Sequence, residues 1–145
     1  MCRKLSFIAL ILKKALEGKS KDEILKNDAF KTSAPKVDNI ANGNYLTNSY
    51  ESLTGSGYVI ESLESALWCF YHSDSYQAAI LMATNIGNDA DTTAAICGQV
   101  AGAFYGYYGI PKQWRGAVSM HDEILGMAIK LLELKHCNLG IEKCE

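Results

Sequence analysis

The chain has 145 residues, a formal net charge of -2 and 48% hydrophobic residues. This length suits one ordinary domain, the composition excludes a disordered chain, and without a basic excess or an acidic tail the sequence predicts no nucleic-acid binding. None of the five cysteines belongs to a CxxC or Cys/His pattern with metal-ligand spacing, and we interpret them as reduced thiols of a cytoplasmic protein: Cys2, Cys69, Cys97, Cys137 and Cys144.

The first predicted element is an amphipathic helix over residues 3–17, ended by Gly18. Its apolar stripe consists of Leu5, Ile8, Leu12 and Leu16. A basic start followed by an apolar run is also typical of a signal peptide, but this run ends at Lys13 and Lys14 without a small-residue cleavage site. Helical spacing therefore favours an amphipathic helix.

A second, short helix is predicted to begin after a cap at Ser20 and to end at Lys26. Residues 28–48 contain Pro35 and Gly43 and show no sustained period, so they predict a long irregular connection. Helical spacing returns after Gly57, with a shared face made of Val59, Leu63, Ala66, Leu67 and Phe70.

Ser73 and Asp74 are predicted to cap a further helix that runs to about Met82. The next helix, over residues 91–107, carries a glycine every fourth residue, which predicts a strip where another backbone can approach closely: Gly98, Gly102 and Gly106. Residues 92–110 are uncharged, but they hold few large aliphatic side chains, so we predict a buried central helix and no membrane span.

The last predicted helix starts at Ser119, where Asp122 is placed for a capping box. Its side chains at core spacing are Ile124, Leu125, Ala128, Leu131 and Leu132. No segment favours a strand, so the sequence predicts an all-α protein with helices stacked around the glycine-rich one.

Two carboxylates lie close together in the stretch NIGNDADTTAAI, residues 85–96. Residues two apart in a regular helix point in nearly opposite directions. Asp89 and Asp91 can therefore serve one point only if Asp89 lies in the loop and Asp91 in the first helical turn. Gly87 permits such a bend, and Thr92 adds a hydroxyl to a cluster of the oxygen ligands that Mg²⁺ or Mn²⁺ accepts.

Two other interpretations of the aspartate pair remain open. An aspartate at the start of a helix is often only a cap, which satisfies unpaired N–H groups and interacts favourably with the helix dipole. The letters DADTT also fit the D-x-D-x-T nucleophile loop of haloacid-dehalogenase-like phosphatases. In that loop the first aspartate follows a hydrophobic strand, whereas here TNIGN and a predicted helix precede it.

The string NIGNDADTTAAICGQVAGAFYGYYGIPKQW resembles the C-terminal signature of the ADP-ribosylglycohydrolase family, which includes the dinitrogenase-reductase-activating glycohydrolases. The matching positions are Asn85, Gly87, Asp89, Asp91, Thr92, Ala95, Gly98, Gly102, Ala103, Tyr105, Gly106, Ile110, Pro111 and Trp114. The segment GSGYVIESLESALWCF and residues 5–25 are also similar to family segments, so the resemblance covers nearly the whole chain.

The resemblance implies an orthogonal all-α array of helices with a binuclear Mg²⁺ or Mn²⁺ centre, which removes ADP-ribose from modified proteins. It implies that Asp89, Asp91 and Thr92 are metal ligands and that both aspartates are catalytic. The ADP-ribose cleft is implied to include Gly55, Gly57, Tyr58 and Val59. ADP-ribose or an ADP-ribosylated protein is therefore the expected partner.

The chain also departs from the family pattern. Asn88 stands where the family often has a second glycine, and no Thr-Asp-Asp cluster, which supplies the other metal ligands in the family, occurs in the sequence. Residues 1–145 thus resemble the C-terminal half of one domain, and we expect poor activity without the missing N-terminal half. A complementing N-terminal half chain or a homo-oligomer is a further expected partner. The alternatives are a non-catalytic helical remnant that binds ADP-ribose or a partner, and a purely structural helical domain.

Overall fold

The computed structural model describes residues 3–27, 30 and 35–140, with the side chains of residues 6–27, 30 and 35–134. The chain divides into two compact units, with the boundary between Ile110 and Pro111. Within the described ranges every regular element is a helix, which confirms the predicted all-α class. None of the helices in these ranges is long and apolar enough to cross a bilayer.

The first unit is built around a central helix. Its helices are α1 (Arg3–Leu16), α2 (Lys21–Leu25), α3 (Pro35–Ala41), α4 (Val59–Tyr71), α5 (Tyr76–Thr84) and α6 (Ala90–Tyr105), with single helical turns at Asn44–Thr47, Tyr50–Ser52 and Tyr107–Gly109. Helix α6 packs against α1, α4 and α5 and buries Cys97, Val100 and Ala101 among them. The predicted buried central helix is therefore confirmed.

Helix α1 forms as predicted, but its buried face is displaced from the predicted stripe. Phe7, Ile11 and Ala15 are fully or almost fully buried, whereas Leu16 is 74% exposed. Ile8 and Leu12 pack against the edge of the core, and the side chain of Leu5 lies outside the described residues. The apolar stripe of this helix is wide enough to contain both the predicted residues and the buried ones, and the residues nearer the centre of the stripe are buried.

The described part of residues 28–48 has more regular structure than the sequence predicts. The described part of this segment contains α3 and the turn Asn44–Thr47, so the predicted irregular connection is wrong there. Pro35 suits the first position of a helix because its backbone nitrogen has no N–H that would need an acceptor. Val37, Ile40 and Ala41 then bury one short face. Two turns of helix are too few for a clear period in the sequence.

Helix α4 begins close to the predicted position, but Val59 is 56% exposed and lies outside the core face. The cap of α5 is Ser75, whose side chain accepts a hydrogen bond from the Ala78 N–H. The predicted cap at Ser73 and Asp74 is thus wrong. The Ser73 hydroxyl instead donates to the Phe70 carbonyl at the end of α4.

The glycine strip of α6 contacts side chains, whereas the sequence predicted that another backbone would approach it closely. A Cβ added to Gly98 would lie 3.4 Å from the ends of Ile80 and Tyr76 on α5, and one added to Gly102 would lie 3.8 Å from Tyr76. Gly106 does not belong to the helix, because its φ of 73° ends α6 at Tyr105, two residues before the predicted end. The strip therefore accommodates one aromatic ring.

A lysine joins the beginning of α2 to the end of α4. The amine of Lys21 donates to the carbonyls of Phe70 (2.7 Å), Tyr71 (3.2 Å) and Ser73. The same amine lies 4.9–5.8 Å from the ring centroids of Phe70, Phe104 and Tyr105. A cation at this position satisfies carbonyls that end a helix and interacts with three aromatic faces. The predicted cap at Ser20 is confirmed, and it begins α2 with a capping box to Glu23.

The second unit consists of α7 (Lys112–Ala117) and α8 (His121–Gly140). Helix α8 begins two residues after the predicted Ser119, because Met120 adopts a positive φ of 58°. The predicted core side chains of this helix are exposed, with values of 49% for Ile124, 68% for Leu131 and 61% for Leu132. The core assignment was therefore wrong, although the apolar pattern itself is real.

Candidate functional site

The chain bends sharply just before α6. Gly87 and Asn88 both have positive φ, 82° and 51°, a conformation that glycine and asparagine tolerate better than other residues. The bend leaves Asp89 outside the helix and Asp91 in its first turn. This is the placement that the spacing of the two aspartates requires if they are to act together.

The two carboxyl groups meet at this corner. A hydrogen bond with the Asp89 carboxyl, followed by hydrogen bonds from the backbone N–H groups of Thr92 and Asp91, holds the pKa of Asp91 below its usual value. Asp91 is exposed and Asp89 is half-buried. At neutral pH the corner therefore presents negative charge to solvent from the start of a helix.

Asp89 does not act as a helix cap. Its side chain makes no capping hydrogen bond, although it occupies the residue position where caps occur. The backbone carbonyl of Asp89 instead accepts hydrogen bonds from the hydroxyl (3.1 Å) and the N–H (3.2 Å) of buried Thr93. A simple cap thus fails to explain Asp89, while the contact of Asp91 with backbone N–H groups resembles ordinary stabilisation of a helix start.

The predicted glycines of the ADP-ribose cleft lie against the aspartate corner. The N–H of Asp89 donates to the carbonyl of Gly55 at 2.7 Å. A Cβ at Gly55 would lie only 2.3 Å from the carbonyl oxygen of Gly87, and one at Gly57 would lie 3.7 Å from the Asp89 carboxylate. The structure therefore brings together two groups of predicted residues that are about 30 positions apart in the sequence.

Tyr58 and Val59 follow this loop directly and open α4. Their side chains are 45% and 56% exposed, and the amine of Lys36 lies 4.8 Å from the centre of the Tyr58 ring. Chain connectivity alone places these two residues beside the glycines. They give the site an apolar border next to the charged corner.

Sequence reasoning missed the residues that hold the glycine loop in place. The buried hydroxyls of Ser62 and Ser65 on α4 donate to the carbonyls of Ser56 (2.6 Å) and Thr54 (3.0 Å). The carboxylate of Glu61 accepts from the hydroxyls of Ser56 (2.5 Å) and Thr54 (3.3 Å). The sequence pattern that could have identified Ser62 and Ser65 is a pair of serines three residues apart on an otherwise apolar helix face. Buried hydroxyls need hydrogen-bond partners, so such a pair indicates contact with polar groups.

The donors at the corner fit one side of a divalent-metal site. Asp89, Asp91 and exposed Thr92 offer oxygen ligands, which Mg²⁺ and Mn²⁺ prefer. Six ligands complete the usual octahedral shell of Mg²⁺. Among the described residues, however, no three His, Cys, Asp or Glu side chains are grouped so that they could hold a metal ion. The ligand roles implied by the resemblance remain predictions.

Comparison with known proteins gives consistent matches. The family model described as ADP-ribosylglycohydrolase matches residues 5–138. An ADP-ribosylarginine hydrolase of Pseudomonas putida is 38% identical over 126 residues, which are 87% of this chain and 34% of that protein. The ADP-ribosylarginine hydrolase of Serratia proteamaculans is 36% identical over 125 residues, which are 86% of this chain and 34% of that protein. The chain thus spans about a third of the length of these two relatives.

A solved structure described as an ADP-ribosylglycohydrolase-related protein complex superposes with a TM-score of 0.75 at 31% identity. The match covers 84% of this chain and 43% of that one, and it confirms the predicted fold type. The family model, the relatives and the shared fold all agree with the signature around Asp89 and Asp91. The chain belongs to the ADP-ribosylglycohydrolase family.

Proposed function

We propose that this chain forms part of a metal-dependent hydrolase of the cytoplasm that removes ADP-ribose from modified protein side chains. The proposal depends on one observation above all, which is the contact between the Asp89 corner and the Gly55 loop. Membership of a family of ADP-ribosyl hydrolases supports the reaction class. A haloacid-dehalogenase-like phosphatase loses its support, because Asp89 follows a bend after helix α5 and no strand precedes it in the described chain.

Asp89, Asp91 and Thr92 would hold Mg²⁺ or Mn²⁺, with two ions in the complete site. Such an ion supplies Lewis-acid polarisation and lowers the pKa of a bound water. The chain contributes two adjacent carboxyl groups at a helix start. Hard anionic oxygens of this kind are the ligands that both ions select.

The glycine loop and the start of α4 would receive the ADP-ribose. Gly57 has no side chain to block the approach of a ligand to the Asp89 carboxylate, which lies 3.7 Å from the position a Cβ would take. Exposed Tyr58 and Val59 offer an aromatic and an aliphatic surface beside it. Ser62 and Ser65 hold this loop through its carbonyls, so the loop is ordered before a ligand arrives.

A complete site would need further ligands from outside these residues. The two relatives are about three times as long as the aligned segment, so the missing ligands would come from polypeptide outside residues 1–145. The exposed apolar side chains of α8 suit such a contact: Ile124, Met127, Ile129, Leu131, Leu132 and Leu134. By itself the segment would hydrolyse an ADP-ribosylated protein slowly.

Metal titration of the wild type and two variants tests the ligand assignment. Mn²⁺ binding to the wild type is measured by calorimetry and compared with Asp91→Ala and with Asp74→Ala, which removes an exposed aspartate from the turn before α5. Loss of a direct carboxylate ligand should weaken binding by about tenfold or more, whereas Asp74→Ala should bind as the wild type does. Equal affinity in Asp91→Ala and the wild type would refute the assignment.

A non-catalytic module that binds ADP-ribose or a partner is the second candidate function. It is favoured by the absence of a three-residue metal cluster among the described side chains. Hydrolysis of an ADP-ribosylated arginine peptide separates the two candidates. If added Mn²⁺ produces turnover that Asp91→Ala abolishes, the segment is catalytic. If ADP-ribose binds but turnover is absent with metal and with any complementing chain, the module is favoured.

A further inference from the structure

A polar cavity lies in the first unit, apart from the residues of the aspartate corner. Its volume is about 280 Å³, and it is lined by residues of α3, of the turn Asn44–Thr47 and the residue after it, and of α4: Asn39, Asn44, Tyr45, Asn48 and Glu64. Every lining side chain carries a polar group. None of the residues assigned to the metal or ADP-ribose site is among them.

Tyr45 gives the first indication that the cavity binds something. Its side chain is only 5% exposed, yet its hydroxyl makes no hydrogen bond to any described atom. Burial, followed by the charge of Glu64, raises the pKa of Tyr45, so the group stays a neutral hydroxyl at every physiological pH. Buried polar atoms are nearly always hydrogen-bonded, and Tyr45 is one of the residues that line the cavity.

Glu64 gives the second indication. It is half-buried on α4, and no described cation lies within ion-pair distance of its carboxylate. Burial and then the charge of Glu61, one turn earlier, raise the pKa of Glu64. An acid in this position is stabilised by any positive charge that enters the cavity, because such a charge offsets both the desolvation and the repulsion.

The other wall residues extend this preference. Asn39, Asn44 and Asn48 each offer an amide oxygen as an acceptor, in addition to the two carboxylate oxygens of Glu64 and the Tyr45 oxygen. Several acceptors around one negative charge suit a planar cation with many N–H donors. A guanidinium group has five such donors in a fixed arrangement, whereas an ammonium group has three.

We propose that the cavity formed by Asn39, Asn44, Tyr45, Asn48 and Glu64 binds a guanidinium group, presented by an arginine side chain or by free arginine. The guanidinium pairs with Glu64 and gives the Tyr45 hydroxyl a partner. This proposal stands independently of the proposed hydrolase function, since it uses no residue of the metal or ADP-ribose site.

The test uses three amino acids that differ in the terminal group. L-arginine, L-citrulline and L-lysine are titrated into the ¹⁵N-labelled chain, and the amide resonances of Asn44, Tyr45 and Asn48 are followed by NMR. Arginine should produce saturable shifts at these residues. Citrulline, which replaces the guanidinium by a neutral urea, should produce none in the same range. Lysine should bind at least about fivefold more weakly, because it offers fewer donors.

Three variants assign the effect to the cavity. Glu64→Gln should weaken arginine binding by about tenfold or more, and Tyr45→Phe by about threefold, while the exposed control Glu51→Gln should bind as the wild type does. Tyr45→Phe should also melt no lower than the wild type, since its hydroxyl has no partner to lose among the described atoms.

Equal binding of arginine and citrulline would overturn the proposal, as would unchanged affinity in Glu64→Gln or an absence of saturable shifts at the cavity residues. Binding of lysine as tight as that of arginine would refute the guanidinium assignment. The guanidinium and the hydrolase proposals fail separately, because the Mn²⁺ titration involves none of these variants.

An L-arginyl peptide distinguishes the two sources of the group. A short peptide with a central arginine and blocked termini should bind at least as tightly as free L-arginine if the cavity receives a protein side chain. Tighter binding of free L-arginine would assign the cavity to the amino acid. Either result retains the guanidinium, and binding of neither would overturn it.

Discussion

Substitution of Gly55 by alanine tests whether the two loops of the candidate site must touch. The added Cβ would lie 2.3 Å from the carbonyl oxygen of Gly87 and 3.2 Å from a methyl carbon of Ile86. A backbone carbonyl cannot turn aside as a flexible side chain can, so the loops must separate. Overpacking of this kind costs about 1–3 kcal/mol. Separation also breaks the 2.7 Å hydrogen bond from the Asp89 N–H to Gly55, which contributes about 1 kcal/mol.

The expected loss for Gly55→Ala is therefore about 2–4 kcal/mol in the free energy of unfolding. The matched control is Gly57→Ala, because a Cβ there meets only the Asp89 carboxylate at an ordinary 3.7 Å. The control should change the free energy of unfolding by less than about 1 kcal/mol. Urea unfolding followed by circular dichroism measures both variants under the same conditions. If Gly55→Ala and Gly57→Ala have the same stability, the close approach of the two loops is wrong.

Three further predictions concern buried polar and titratable groups. Ser62→Ala should lower the free energy of unfolding by about 1–2 kcal/mol, because the Ser56 carbonyl loses the hydroxyl that donates to it at 2.6 Å. Urea titration measures the change, and a loss below about 0.3 kcal/mol would contradict the hydrogen bond between Ser62 and Ser56. Burial raises the pKa of the Cys69 and Cys97 thiols to about 12, so their stabilising effect is complete below pH 9 and is lost as the pH rises toward 12. Iodoacetamide at pH 8 should therefore label these cysteines only in urea, as mass spectrometry will show, and rapid labelling of the folded chain would refute their burial. The raised pKa of Glu64 contributes stability that is complete below about pH 4.5 and is lost as the pH rises through the pKa of the folded state. Glu64→Gln should therefore melt at a higher temperature than the wild type at pH 7 but not at pH 3.5. A difference in melting temperature that does not depend on pH would show that the ionisation of Glu64 is not its cause.

Local patterns in the sequence were sufficient to predict much of the first unit. The apolar spacing of α1, the cap at Ser20 and the length of α6 act within one or two helical turns, so they are visible in the sequence itself. The corner at Asp89 was predictable for the same reason, since residues two apart can converge only across a helix boundary. The resemblance supplied the proposed chemistry, which spacing alone left open between a cap and a metal site.

Other features depend on contacts between distant residues. Ser62 and Ser65 are ordinary helix residues in sequence, and only their contact with the loop carbonyls shows that they hold the site. Helix α3 is too short to show a period, and its burial depends on what packs against it. The apolar positions of α8 have core spacing in the sequence, but spacing does not reveal whether a partner covers them, and Leu131 is 68% exposed.

The amine of Lys21 has a consequence for chemical footprinting. Its three carbonyl acceptors lie 49–52 positions further along the chain, so its contacts exist only when α2 has docked on the end of α4. Bringing the two ends of a segment of that length together costs conformational entropy, and the contacts of the docked state must offset this cost. The extent of acylation of Lys21, compared with that of exposed Lys112 in the same mass spectrum, would therefore show how far α2 has docked on α4. A reagent that reacts with amines can thus follow the assembly of the core without a fluorescent label or a mutation.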